Sequence, residues 1–173
     1  MKKIFIGAAL AISAFASPAM ASDFTGARVG VTAGLDKQAD VQGVSLGGVA
    51  GYDVKVVGPV RAGVEVTVAD STADVAGIHS NLDLGANLRV GVKVLDRALV
   101  FGKVGYARTD FGLAGLGTTT QEGVRFGGGV EYAVTDRVYT TLEYARTEYG
   151  TWAPAGLTVP GRDQVLAGVG FRF

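Results

Sequence analysis

Few residues in this chain are equipped for catalysis, and their spacing argues against most reactions. His79 is the single histidine, and it stands directly before Ser80. A serine nucleophile needs a histidine base within reach and an acid to orient that base. Adjacent residues in extended chain point to opposite faces, and no acid stands at an obvious orienting distance. The pair is therefore expected to be a chance neighbourhood in the loop before the fourth strand. Metal chemistry has as little to work with: one His, no Cys, and no carboxylates at calcium-loop spacing. Gly127-Gly128-Gly129 is as glycine-rich as a phosphate loop, but it lies inside a strand pattern rather than before a helix. No enzyme activity and no cofactor are expected.

Charge at alternate positions is the chemistry the chain does carry. Arg28, Arg61, Glu65, Asp83, Arg89, Lys103, Arg125, Glu131, Glu143 and Arg172, with Asp53, alternate with Val, Leu, Ala or aromatic neighbours. In Val60-Arg61-Ala62-Gly63-Val64-Glu65-Val66-Thr67-Val68 one face is wholly apolar, and the other is Arg, Gly, Glu, Thr. The same period of two governs 82–92 and the final run Val165 to Phe173. Eight such segments are read, at about 25–34, 43–54, 59–69, 81–94, 99–109, 123–134, 138–147 and 164–173. Each is near the length a tilted strand needs to cross a bilayer.

The connections predicted near 55–58, 95–98 and 135–137 are short, with turn residues such as Gly58-Pro59 and Asp96-Arg97. Those near 35–42, 70–80, 110–122 and 148–163 are longer and polar. Short turns at one end and long loops at the other, with an even strand number, fit an all-β, eight-stranded antiparallel up-and-down transmembrane barrel. Its two ends would face periplasm and exterior respectively. The faces decide which side is out. Glycines such as Gly63, Gly85 and Gly91 share the face of the charges; exposed to water they would only weaken the strands. Inside a narrow barrel they leave room for long charged neighbours. Val49, Phe101 and Leu166 depart from the pattern, through local bulges or through apolar contacts in the lumen.

Tyr52, Tyr132, Phe171 and Phe173 then fall outward at the short-turn edge, and Tyr106, Phe126 and Tyr144 outward at the other. Two aromatic girdles flanking an aliphatic band suit a membrane with two interfaces.

The N-terminus reads as an export signal. Lys2 and Lys3 precede the apolar Ile4–Ala16, and Ala19-Met20-Ala21 is an A-x-A cleavage site. Residues 1–21 are expected to be removed and 22–173 to form one barrel domain. Of 16 basic side chains, losing Lys2 and Lys3 leaves 14 against 16 acids, so nucleic acid is not an expected partner.

Leu142-Glu143-Tyr144-Ala145-Arg146-Thr147-Glu148-Tyr149-Gly150, the strand Val100 to Arg108, and the ending Gly168-Val169-Gly170-Phe171-Arg172-Phe173 resemble the small eight-stranded outer-membrane barrels. That porin-like family includes opacity-type proteins, the OmpA transmembrane domain and OmpX-like proteins. The resemblance implies outer-membrane localisation and a C-terminal strand, ending in Phe173, that is read by the barrel-assembly machinery. Because the strand pattern runs to Phe173, the peptidoglycan-binding domain that follows the barrel in OmpA-like proteins is not expected here. Small barrels that deacylate lipid A space His and Ser two apart, unlike His79 and Ser80. The expected role is structural and surface-interacting: envelope integrity, adhesion, or lipopolysaccharide contact. Arg108 and Arg146, outward near the upper girdle, are the candidate partners for lipopolysaccharide phosphates. A surface ligand would meet the long loops, where Trp152, Pro154, Leu157, Val159 and Pro160 cluster. The alternative is a weak, nonspecific small-solute porin.

Overall fold

In the computed structural model, residues 23–38, 41–71, 74–75, 78–113, 117–149, 151–152, 157–158 and 161–173 are described. The expected leader, residues 1–21, lies outside them. Eight long strands dominate: β1 (Gly26–Gln38), β2 (Val41–Val57), β3 (Val60–Ser71), β4 (Ile78–Leu95), β5 (Ala98–Leu113), β6 (Gly117–Ala133), β7 (Val138–Tyr149) and β8 (Arg162–Arg172). Each pairs antiparallel with the next, and β8 pairs with β1 from Arg28↔Arg172 to Gln38↔Arg162. The sheet is closed and has no free edge, so every strand finds backbone partners on both sides. Hydrocarbon demands that of any spanning sheet.

The faces are inverted relative to a water-soluble protein. Leu88 is 63 % exposed and Val66 58 %, while Arg89 is 2 % exposed and Glu131 is fully buried. The short-turn end is built as expected, with Gly58-Pro59, Asp96-Arg97 and the bend at 134–137 joining neighbouring strands. Gly58 takes φ +49°, the left-handed conformation this two-residue turn requires.

At the other end the strands run further than alternation suggested. Leu35 pairs with Val44 and Asp110 with Thr120, so much of the expected loops at 35–42 and 110–122 is ladder. Strands β2, β4 and β6 reach 17 or 18 residues, well beyond the ~9–11 a bilayer needs. The barrel wall therefore projects past the membrane at that end. Thr, Gly and Asp read as loop residues, yet cross-strand pairing carries the backbone through them.

Val49, Phe101 and Leu166 keep unbroken register, paired with Gly30, Gly91 and Gly34. All three line the lumen, so the apolar-contact reading holds. Register shifts occur elsewhere, near strand ends at Lys55/Val57, Ser80/Leu82 and Lys93/Leu95.

Candidate functional site: the charged lumen and its rim

Inward side chains meet across the barrel by alternate strands. Asp53 on β2, Arg89 on β4, Glu131 on β6 and Arg172 on β8 form a closed four-membered ring. Its N–O contacts are 3.4 Å (Asp53–Arg89), 2.7 Å (Arg89–Glu131), 2.8 Å (Glu131–Arg172) and 3.0 Å (Arg172–Asp53). The odd strands supply a second alternating series. Arg28 on β1 meets Glu65 on β3 at 2.6 Å, Glu65 meets Lys103 on β5 at 2.8 Å, and Lys103 meets Glu143 on β7 at 2.6 Å. Arg28 also joins the two layers through Asp53 at 2.9 Å. The cause is barrel geometry: strand stagger brings inward side chains of every second strand to one level.

Nearer the long-connection end, Asp83 receives Arg125 at 2.6 Å and Arg162 at 3.4 Å, and Thr109 donates to it at 3.0 Å. Arg162 also meets Asp36 at 2.7 Å, and the Ser71 hydroxyl donates to Asp36 at 2.8 Å. Asp36 and Arg162 are missing from the sequence-derived set, because both fell in segments read as loop. Parity would have found them: Asp36 continues Arg28, Gly30, Thr32, Gly34, and Arg162 shares the phase of Arg172. Counted this way, six lumen cations face six carboxylates. Such balance is what a poorly hydrated interior requires.

Arg61 does not join these layers in the described contacts. It turns to the short-turn mouth and donates to the Asp23 carboxylate at 2.5 Å, the Asp23 carbonyl at 2.6 Å and the Gly58 carbonyl at 3.0 Å. Aromatic rings fill the remaining width: the Arg89 guanidinium lies 3.9 Å from the Phe101 ring centre, and Arg172 lies 5.6 Å from that of Tyr139. A cavity of about 40 Å³ remains among these groups, room for roughly three waters.

Outside, Tyr52, Tyr106, Phe126, Tyr132, Tyr144 and Phe173 are exposed to the surroundings. Half-buried Phe171 packs edge-on against Phe173 with ring centres 5.0 Å apart. The Phe173 amide donates to Ala27 O at 2.9 Å, tying the last residue to the first strand. At the upper rim the Tyr106 and Tyr144 hydroxyls donate to Glu122 and Asp163, each at 2.6 Å. Arg146 donates to Glu148 and reaches Asp163 at 3.3 Å, while Arg108 reaches the Thr120 hydroxyl at 3.5 Å.

His79 and Ser80 belong to the backbone of β4, paired with Gly112 and Phe111, so the expectation of a loop is corrected. Their side chains lie outside the described residues. So do Pro154, Val159 and Pro160 and the side chains of Trp152 and Leu157; the backbone of Thr151–Trp152 pairs with Leu157–Thr158.

A closed antiparallel sheet with hydrocarbon-facing aliphatics and an ion-paired interior defines a transmembrane β-barrel. The chain belongs to the outer membrane protein beta-barrel domain family, whose model matches residues 7–173. It is thus an outer-membrane protein. Neisserial surface protein A is similar in fold at 18% identity, with a TM-score of 0.59 over 85% of this chain and 96% of that one. The N-terminal barrel of Pseudomonas aeruginosa OprF follows at 16% identity, TM-score 0.57, over 84% and 97%. Ail, the attachment invasion locus protein of Yersinia pestis, gives 12% identity and TM-score 0.54 over 86% and 97%. No curated protein matches the sequence.

Proposed function

We propose that this barrel is a non-enzymatic structural and surface-interaction protein of the outer membrane, with its short-turn end in the periplasm. The observation that carries this reading is the filled lumen. Among the described residues the charge layers link strands around the barrel, and the cavity between them is of water size where a porin would hold a channel. Breaking such a layer to admit a solute would strand buried charges. Function then falls to the outer wall, the projecting strands and the rim. Planar-bilayer recording tests the reading: the purified protein should give no steps comparable to general porins, and such steps would establish the porin alternative.

Lipopolysaccharide is the partner proposed for Arg108 and Arg146. The carboxylates now beside Arg146 lie on the exposed rim, where ion pairs are weak, so a phosphate can replace them. Changing both arginines to Glu should abolish lipopolysaccharide co-purification while the barrel stays folded. Ail has been solved with the heparin analogue sucrose octasulfate. Export and assembly complete the proposal: the mature chain starts at Ser22, checked by its intact mass, and deleting Phe173 should lower outer-membrane yield through the assembly machinery.

A further inference from the structure

Phe24 is 1 % exposed although it precedes the first strand, and it packs with Leu99, Phe101 and Ala133 at the short-turn mouth of the lumen. Its backbone has φ +52°, the only positive φ at a non-glycine among the described residues. A bulky side chain adopts that conformation only when its surroundings over-determine it. Two features do so here. The ring is buried beneath the charge layers, and Arg61 grips the preceding residue by both its carboxylate and its carbonyl. Arg61 is the inward arginine left out of the lumen layers, and its carboxylate partner comes from this segment instead of the wall. Gly26 follows at φ +97° and opens β1.

We propose that Asp23, Phe24 and Thr25 form a stopper that seals the short-turn mouth of the lumen, with Arg61 as its latch. The two parts differ in character. The ring is dry, whereas the Asp23 side chain at the latch is 61% exposed. The segment therefore releases from its exposed end. Release uncovers Leu99, Ala133 and the Asp53–Arg89–Glu131–Arg172 ring to water on that side. Closure is separate from the salt-bridged filling: one is an apolar contact made by the segment that precedes β1, the other is part of the wall.

The chain has no cysteine, so a single one reports cleanly on access. Ala133→Cys is placed under Phe24, and Thr135→Cys on the exposed turn gives the rate of an open site. Both react with a small polar thiol reagent in the folded, detergent-extracted protein, with folding verified by heat-modifiable gel mobility. Cys at 133 should be protected relative to Cys at 135, and Phe24→Ala should remove that protection, raising the rate by about tenfold or more. Asp23→Asn, which leaves the ring in place, should raise it by a smaller factor and keeps the test available if Phe24→Ala fails to fold. Equal rates at 133 and 135 in the parent, or protection unchanged by the substitutions in folded protein, overturn the proposal.

Discussion

Arg89 and Arg146 each bridge two carboxylates, but from opposite sides of the same wall. Arg89 sits 2 % exposed between Asp53 and Glu131; Arg146 lies 40% exposed between Glu148 and Asp163. The contacts look alike and their energetic meaning differs. Inside, there is room for only a few waters to take over the hydrogen bonds of a lost partner, so each group depends chiefly on its neighbours in the ring. On the rim, water and salt compete for every charge, and a pair forms or breaks at little cost. The interior pairs thus hold a shape, while the rim pairs are open to exchange with a ligand.

Glu131→Ala strikes this contrast at its strong end. It leaves Arg89 and Arg172 with only the Asp53 carboxylate, which Arg28 also occupies, and should destabilise the barrel by about 3–5 kcal/mol. Urea unfolding in detergent, followed by loss of heat-modifiable mobility, measures the change. Leu88→Arg places the same chemistry on the lipid face, where a mid-membrane arginine costs about 2–4 kcal/mol. The same titration in lipid vesicles would show it. If Leu88→Arg were neutral in vesicles, the assignment of faces would fail. Raising salt to about 1 M, where screening acts within ~3 Å, should leave the lumen-dependent midpoint nearly unchanged and weaken lipopolysaccharide retention. At the weak end, Arg146→Ala should leave the unfolding midpoint within error of the parent. A large shift there would mean that the rim is part of the scaffold.

Much of this contrast was legible from residue order. Strict alternation from Val60 to Val68 and from Leu82 to Val92 marked the strands, both faces, and which charges share the interior. It misled where composition was weighed above parity. Polar stretches around 35–42 and 110–122 read as loops, so Asp36 was passed over although its phase with Arg28 is unbroken; Arg162, within the loop read at 148–163, was missed the same way. Phe24 gave no signal at all, since one aromatic before a strand fits many local structures. Pairing was equally hidden. Arg28 reaches Glu65 across an intervening strand, and Arg162 reaches Asp83 from the opposite side of the barrel.

Order along the chain was enough to establish a lipid-facing barrel with balanced interior charge, because hydrocarbon outside and a narrow polar interior impose a two-residue rhythm on every strand. Only closure of the sheet decided who meets whom. Stagger brings alternate strands to a common level, sorting the charges into an even-strand ring and an odd-strand series, and it turns Arg61 away from both toward the segment that enters the mouth. A linear rhythm carries no information about levels around a circle, so those partnerships exist only in three dimensions.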